Sequence, residues 1–159
     1  MAEGSDDVLR VTLRRAAMDT LARREHSRAE LSQKLARKYP ELEAHIPSVL
    51  DQLEGDALLS DERFTEAYTR YRRNRGVGPL LIRQELAGKG VASALISAWV
   101  DEADHQWQES LHTVIARKAR GVELNTLDAR ARQKLFRFCL SRGFSSAQIS
   151  RALRSDTEL

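Results

Sequence analysis

The chain has little of what marks several specialised protein classes. Its 159 residues include one cysteine, three prolines and eight glycines, which excludes a disulfide scaffold and a glycine- or proline-rich coil. No apolar run approaches the roughly 20 residues needed to span a bilayer. The start is small and acidic, unlike a secretion signal. We therefore expect a folded cytoplasmic protein without a membrane segment, in which Cys139 is a buried structural thiol.

Motifs that carry catalysis are also missing. There is no G-x-x-x-x-G-K phosphate loop, and the glycines at 76 and 78 follow a helix pattern, so they indicate a turn. The four histidines lack the i, i+4 spacing of a helical zinc pair. No serine, cysteine or lysine has neighbours that would mark it as an activated nucleophile. The sequence predicts a protein that is not an enzyme, with no cofactor and no metal.

What the sequence does have is helical periodicity throughout. Apolar residues recur at spacings of three and four, and no stretch alternates like a strand, which predicts an all-α fold. A first helix is expected over about 8–24. Ser27 with Glu30 forms a capping-box pattern, and Ser145 with Gln148 resembles one. Ser60 is expected to cap another helix, and Pro79 suits a first helical position.

The helices fall into three groups of three. Residues 89–100 match residues 142–153 at a constant shift of 53, both in a basic-glycine turn and in the apolar positions that follow. The pattern predicts nine helices in three tandem three-helix repeats. The expected boundaries are a flexible N-terminus at 1–7 and repeats at 8–58, 59–102 and 103–155.

Charge is segregated along the chain, although the net charge is only +3. Residues 41–62 contain seven acids and no lysine or arginine, whereas residues 63–90 contain seven bases and two acids. Such a block is either a solvated surface or an interaction site for phosphates or an acidic protein groove, and the sequence leaves both open. The candidate binding residues are Arg63, Arg70, Arg72, Arg73, Arg75, Arg83 and Lys89.

Helical geometry divides the roles of the residues around 63–75. If Phe64, Tyr68 and Tyr71 face inward, the tyrosines belong to the core and are not base-stacking platforms. Arginines then lie on the opposite face and along the margin. A second basic group at 117–137 contains interspersed acids, so an ordinary solvated surface is the favoured interpretation there.

Three motifs in order resemble the RecX family. Ser27 leads to Glu-Leu at 30–31, Leu-Ser-Asp at 59–61 leads to Arg-Phe at 63–64, and Gly-Pro at 78–79 leads to Lys-Gly-Val at 89–91. Phe138 and Arg-Gly-Phe at 142–144 extend the resemblance over almost the whole chain. The family motifs read as caps, turns and core, so the arginine assignments depend on charge alone.

The resemblance implies an elongated, curved array of three-helix repeats that acts on the RecA recombinase. Such a protein binds RecA filaments on single-stranded DNA and inhibits ATP hydrolysis, strand exchange and coprotease activity. RecA is then the partner, weak DNA contacts can accompany it, and we expect a monomer. Two alternatives stay open: a helix-turn-helix-like protein that binds DNA directly, and a helical scaffold for an unrelated acidic protein.

Overall fold

The computed structural model describes residues 2–155. This range consists of helices joined by turns and loops, without a β-strand. It contains nine α-helices in the three groups of three that the sequence predicts. The helices are α1 (Ala2–Leu21), α2 (Arg28–Lys38), α3 (Ile46–Gly55), α4 (Asp61–Asn74), α5 (Pro79–Gly88), α6 (Ser93–Trp99), α7 (His105–Ala119), α8 (Ala129–Ser141) and α9 (Ser146–Ser155). Short 3₁₀ helices occupy Pro40–His45 and Leu124–Thr126.

The first helix departs from its predicted bounds at both ends. It begins at Ala2, so residues 2–7, which we expected to be a flexible N-terminus, are helical. Glu3 lies in the first turn, where a carboxylate interacts favourably with the positive end of the helix dipole. The helix ends at Leu21, before the predicted end at about residue 24. The acidic start was therefore a helix signal.

The predicted caps form. Ser27 Oγ accepts from the Glu30 amide at 3.1 Å, and the Glu30 carboxylate accepts from the Ser27 amide at 3.1 Å. Ser145 and Gln148 exchange the same two bonds at 3.1 and 2.9 Å. The Ser60 hydroxyl accepts from the Arg63 amide at 3.1 Å. These bonds satisfy backbone donors that a helix leaves open at its start.

The chain divides into two compact units. Of the described residues, the first contains 2–67 together with 86–95, and the second contains 68–85 together with 96–155. The core of the first includes Leu13, Leu31, Leu35, Val49, Leu50 and Leu53. The core of the second includes Leu111, Ile115, Leu135, Cys139, Phe144 and Ile149. Cys139 is fully buried as predicted, and burial raises the pKa of its thiol to about 11.

In the first compact unit, the turn after α5 packs against the start of α2. Ser27 Oγ donates to the carbonyl of Lys89 at 2.7 Å. The next residue, Gly90, has a φ of +78°, and a Cβ built there would lie 2.5 Å from Cβ of Ala29. Glycine is therefore required both for the left-handed backbone and for the close approach.

The second compact unit repeats this junction between the turn after α8 and the start of α5. The Gly78 amide donates to the carbonyl of Arg142 at 2.7 Å. Gly143 has a φ of +101°, and a Cβ there would lie 2.5 Å from Cβ of Leu81. Lys89 and Arg142 are 53 residues apart, the shift found in the sequence. The same backbone junction thus occurs once in each compact unit.

Replacing Gly143 with alanine should destabilise the protein more than replacing Gly121 with alanine. Both glycines have positive φ, but nothing lies within 4 Å of a Cβ at Gly121. The Gly121 variant should lose about 1–2 kcal/mol from backbone strain alone. The Gly143 variant should lose about 1–3 kcal/mol more from the clash. Equal losses in urea unfolding would show that the close approach does not constrain the junction.

Candidate interaction surface

Helix α4 carries most of the predicted binding residues, but its buried face is not the predicted one. Phe64, Thr65 and Thr69 are buried, whereas Tyr71 is 53% exposed. The predicted core role of Tyr71 is therefore wrong. The buried face of α4 differs from the predicted one because threonines occupy part of it. The hydroxyl of Thr65 can be buried since it donates to the Asp61 carbonyl at 2.7 Å.

Arg72 forms a structural ion pair. Its Nε and Nη2 atoms donate to the two carboxylate oxygens of Glu85 at 3.0 and 2.7 Å, and Tyr68 OH donates to the same carboxylate at 2.6 Å. The bond to Glu85 raises the pKa of Arg72 above its ordinary value, although partial burial opposes this. Both charged side chains are largely covered, so Arg72 joins α4 to α5 and has little charge to offer a partner.

Arg83 also forms its hydrogen bonds within the second compact unit. Its Nε and Nη2 atoms both donate to the carbonyl of Val100, at 3.0 and 2.7 Å, and Nη1 lies 3.3 Å from the Glu102 carboxylate. Val100 follows the last residue of α6, where helix carbonyls lack partners. The guanidinium therefore caps α6.

The two candidates in the first compact unit are ion-paired. Arg63 Nε lies 3.1 Å from Glu25, and Lys89 Nζ lies 3.2 Å from Glu30. Burial raises the pKa of Glu30, but bonds from Arg24, the Ser27 amide and Lys89 outweigh it and lower the pKa to about 2. The capping carboxylate of α2 thus also holds Lys89.

The remaining three candidates lie in the last turns of α4 and just after it, and together with Tyr71 we call them the α4 surface: Arg70, Arg73 and Arg75. The guanidinium of Arg75 lies 4.8 Å from the Tyr71 ring centroid, and that of Arg73 lies 5.7 Å from the ring of Trp107. Helical spacing places Arg70 between these two contacts. Cation–π contacts orient the guanidinium groups without neutralising them.

A polar cleft of about 330 Å³ adjoins the α4 surface within the second compact unit. Arg73 and Arg117 contribute guanidinium groups to its wall, and Glu109 contributes a carboxylate. Ser110 Oγ donates to the carbonyl of Arg73 at 3.3 Å, which fixes α7 beside the end of α4. The cleft extends the α4 surface with groups that donate hydrogen bonds and groups that accept them.

The second basic group has mixed roles. Arg132 donates to the carbonyls of Leu124 and Leu153 at 3.0 and 3.3 Å, so it is structural. Lys118 Nζ lies 4.4 Å from the ring centroid of Phe138. Across residues 2–155 there is no cluster of three metal-ligating side chains, and no helix in that range is long and apolar enough to cross a membrane.

These features define the class of the protein: it is built from helical repeats, and the charged side chains that distinguish it lie on its surface. Models of the RecX three-helix domains match in order, the first over residues 14–53, the second over 60–98 and the third over 104–153. The chain belongs to the RecX family.

Relatives and solved structures agree with this assignment. The chain is 43% identical over 143 residues to the regulatory protein RecX of Pseudomonas fluorescens SBW25, covering 90% of each chain. It is 42% identical to that of Pseudomonas putida GB-1 with the same coverage. The crystal structure of RecX from Lactobacillus salivarius has a TM-score of 0.81 at 22% identity, covering 96% of this chain and 99% of the other. A second RecX crystal structure, also 22% identical, has a TM-score of 0.74 and covers 94% and 73%.

Sequence reasoning missed the residues of other helices that contact the arginines at 72 and 73. Glu85 and Trp107 lie on other helices than the arginines they contact, and no local spacing predicts such pairs. Tyr71 and Arg75 stand at i and i+4, a spacing at which helical side chains meet. That spacing was a usable signal for their contact.

Replacing Arg72 with glutamine should destabilise the fold. The change leaves the half-buried Glu85 carboxylate without its cation, at a cost of about 1–3 kcal/mol. Replacing Arg75 with glutamine is the matched control, since Arg75 lies over an exposed ring, and should cost about 0.5 kcal/mol or less. Urea unfolding of both variants distinguishes them; a loss at Arg75 as large as that at Arg72 contradicts the structural role.

Replacing Glu30 with glutamine should remove a pH-dependent stabilisation. The pKa of Glu30 falls from 4.5 to about 2 on folding. Its contribution is therefore fully present above pH 4.5 and is lost as the pH falls toward 2. The shift corresponds to about 3 kcal/mol. The difference in unfolding free energy between wild type and variant should shrink over that range. The exposed Glu62→Gln change is the control, and a pH-independent difference at Glu30 would refute the assignment.

Proposed function

We propose that this protein is a non-enzymatic, cytoplasmic negative regulator of the RecA recombinase. It binds RecA filaments on single-stranded DNA and inhibits their ATPase, strand-exchange and coprotease activities. Membership of a family whose members are named regulatory proteins supports the regulatory role. The single observation that supports the binding mode is the α4 surface, in which Arg73 and Arg75 are oriented by aromatic rings.

The α4 surface suits a partner with negative charge. Arg70 and Arg75 are exposed and Arg73 is half-buried at the cleft, so three cations lie within two turns of the end of one helix. An acidic protein groove or a phosphate backbone would be attracted to it, and exposed charges are screened by salt. Binding should therefore weaken as ionic strength rises. The monomer acts as a rigid surface and RecA supplies all the nucleotide chemistry.

Direct, sequence-specific binding of duplex DNA is the alternative function. A recognition helix normally presents arginine, asparagine or glutamine to base edges. Helix α6, the last of the second repeat, reads Ser-Ala-Leu-Ile-Ser-Ala-Trp: it has two serines, which can also contact bases, but none of these three residues, and is otherwise small and apolar. The composition of this helix favours a protein partner over base readout.

Replacing Arg70, Arg73 and Arg75 with glutamate should abolish most of the inhibition of RecA's single-stranded-DNA-dependent ATPase. Reversing three charges turns attraction into repulsion at the α4 surface, and we expect at least a tenfold higher concentration for half-inhibition, which is about 1.4 kcal/mol. The unfolding free energy should change by about 1 kcal/mol or less.

The matched control is the triple variant Arg10→Glu, Arg15→Glu and Arg37→Glu, which makes the same charge change at exposed positions of α1 and α2. It should inhibit RecA like the wild type. Equal inhibition by both triple variants contradicts the role of the α4 surface. Absence of any effect of the wild-type protein on RecA, together with tight binding to duplex DNA, favours the alternative function.

A further inference from the structure

A second pocket, in the first compact unit, is lined by bases without a carboxylate among them. It lies between α1 and α2 and has a volume of about 400 Å³. Ala16, Thr20 and Leu35 form its uncharged part, and the charged lining consists of Arg23, Arg24, Lys34 and Lys38 with His26. We call it the α1–α2 pocket. A cavity lined by charges of one sign raises the local concentration of counter-ions.

The contact between His26 and Lys34 fixes the chemistry of this pocket. His26 is 2% exposed, and its Nδ1 lies 3.1 Å from the carbonyl of Arg24, which can only accept. Nδ1 therefore carries the proton, and Nε2 accepts from Lys34 Nζ at 2.8 Å. The imidazole is neutral, so it occupies one ammonium donor of Lys34 and offers no negative charge in return.

Burial makes the charged form of His26 unfavourable. Desolvation lowers the pKa of His26 below its ordinary value of 6.5, and the charges of Arg24 and Lys34 lower it further, against a raising effect of the bond to the Arg24 carbonyl and of Glu30. Glu30, the carboxylate that raises the pKa of His26, is bonded to Arg24 and Lys89. Lys34 thus donates to a neutral partner.

The remaining cations have no ion-pair partner in the described part of the chain. This holds for Arg23, Lys34 and Lys38. Lys34 and Lys38 stand at i and i+4 on α2, where like charges destabilise a helix by a few tenths of a kcal/mol. Cations near the end of a helix interact favourably with its dipole, which accounts for Lys38 but not for Lys34, one turn earlier. Arg23, Lys34 and Lys38 are exposed, so an anion from solvent has access to all three side chains.

We propose that the α1–α2 pocket binds a phosphate group. Lys34 retains two donors for its oxygens, and Lys38 and Arg23 supply further donors from the rim. Charge-assisted bonds of this kind are the strong ones in phosphate recognition. A terminal monoester and a backbone diester share this chemistry. The pocket belongs to the first compact unit and the α4 surface to the second, so each can be tested without the other.

The test is a titration of the intact protein with inorganic phosphate at constant ionic strength, followed by the imidazole NMR resonances of His26. The expected result is a saturable shift, with the His26 pKa moving back toward its ordinary value because the bound anion offsets the charge of Lys34. Methyl phosphate and dimethyl phosphate are then titrated in the same way. Saturation with methyl phosphate alone identifies a terminal phosphate as the ligand, and saturation with both includes the backbone diester.

The variant Lys34→Gln with Lys38→Gln should bind inorganic phosphate at least about tenfold more weakly. Glutamine can still donate to His26 Nε2, so the fold should be retained, which thermal unfolding checks. The matched control, Arg10→Gln with Arg15→Gln, removes the same charge from exposed positions of α1 and should bind like the wild type. A non-saturable response, or equal weakening in both double variants, overturns the proposal.

Discussion

The backbone junction between repeats is the constraint on which the rest of the structure depends. In each compact unit, the carbonyl that precedes a left-handed glycine accepts a hydrogen bond from the residue immediately before the middle helix of the preceding repeat. The donor is a hydroxyl at Ser27 and a backbone amide at Gly78, so two different residues meet the same requirement. Because each contact uses a main-chain carbonyl and a glycine without a Cβ, the surrounding side chains can vary widely. Such variation is consistent with a TM-score of 0.81 at 22% identity.

Hydrogen bonds and ion pairs inside each compact unit explain why a run of bases in the sequence does not become an equally basic surface in the fold. Four of the seven candidate cations, Arg63, Arg72, Arg83 and Lys89, contact carboxylates or a helix carbonyl within their own compact unit. Partly buried carboxylates such as Glu30 and Glu85 require such partners, since an unpaired charge there is costly. The other three candidates are those of the α4 surface. A count of charge along the sequence does not distinguish these two groups.

Local signals predicted the fold well and the site only in part. The caps at Ser27, Ser60 and Ser145 could be predicted from the sequence because each depends on residues three positions apart. The exposure of Tyr71 could not be predicted in this way. Two buried threonines belong to the inward face of α4, and a pattern based only on apolar residues leaves them out. The pairing of Lys34 with His26 brings together residues in a loop and a helix, and only the packed backbone determines it.

The residues at the two outer positions of the array differ from those that form the junctions. The first repeat has Tyr39 after its middle helix, with a φ of −129°, where the later repeats have a left-handed glycine. The third repeat has Asp128 before its middle helix, and the Asp128 carboxylate accepts from the Ala131 amide at 2.8 Å. A tyrosine has a Cβ and here lies outside the left-handed region, so the first repeat lacks the residue that both junctions require at this place. The stacking contact is thus directional and self-limiting: the first repeat has no left-handed glycine with which to dock on a second copy of the protein, so the same contact does not propagate into a polymer.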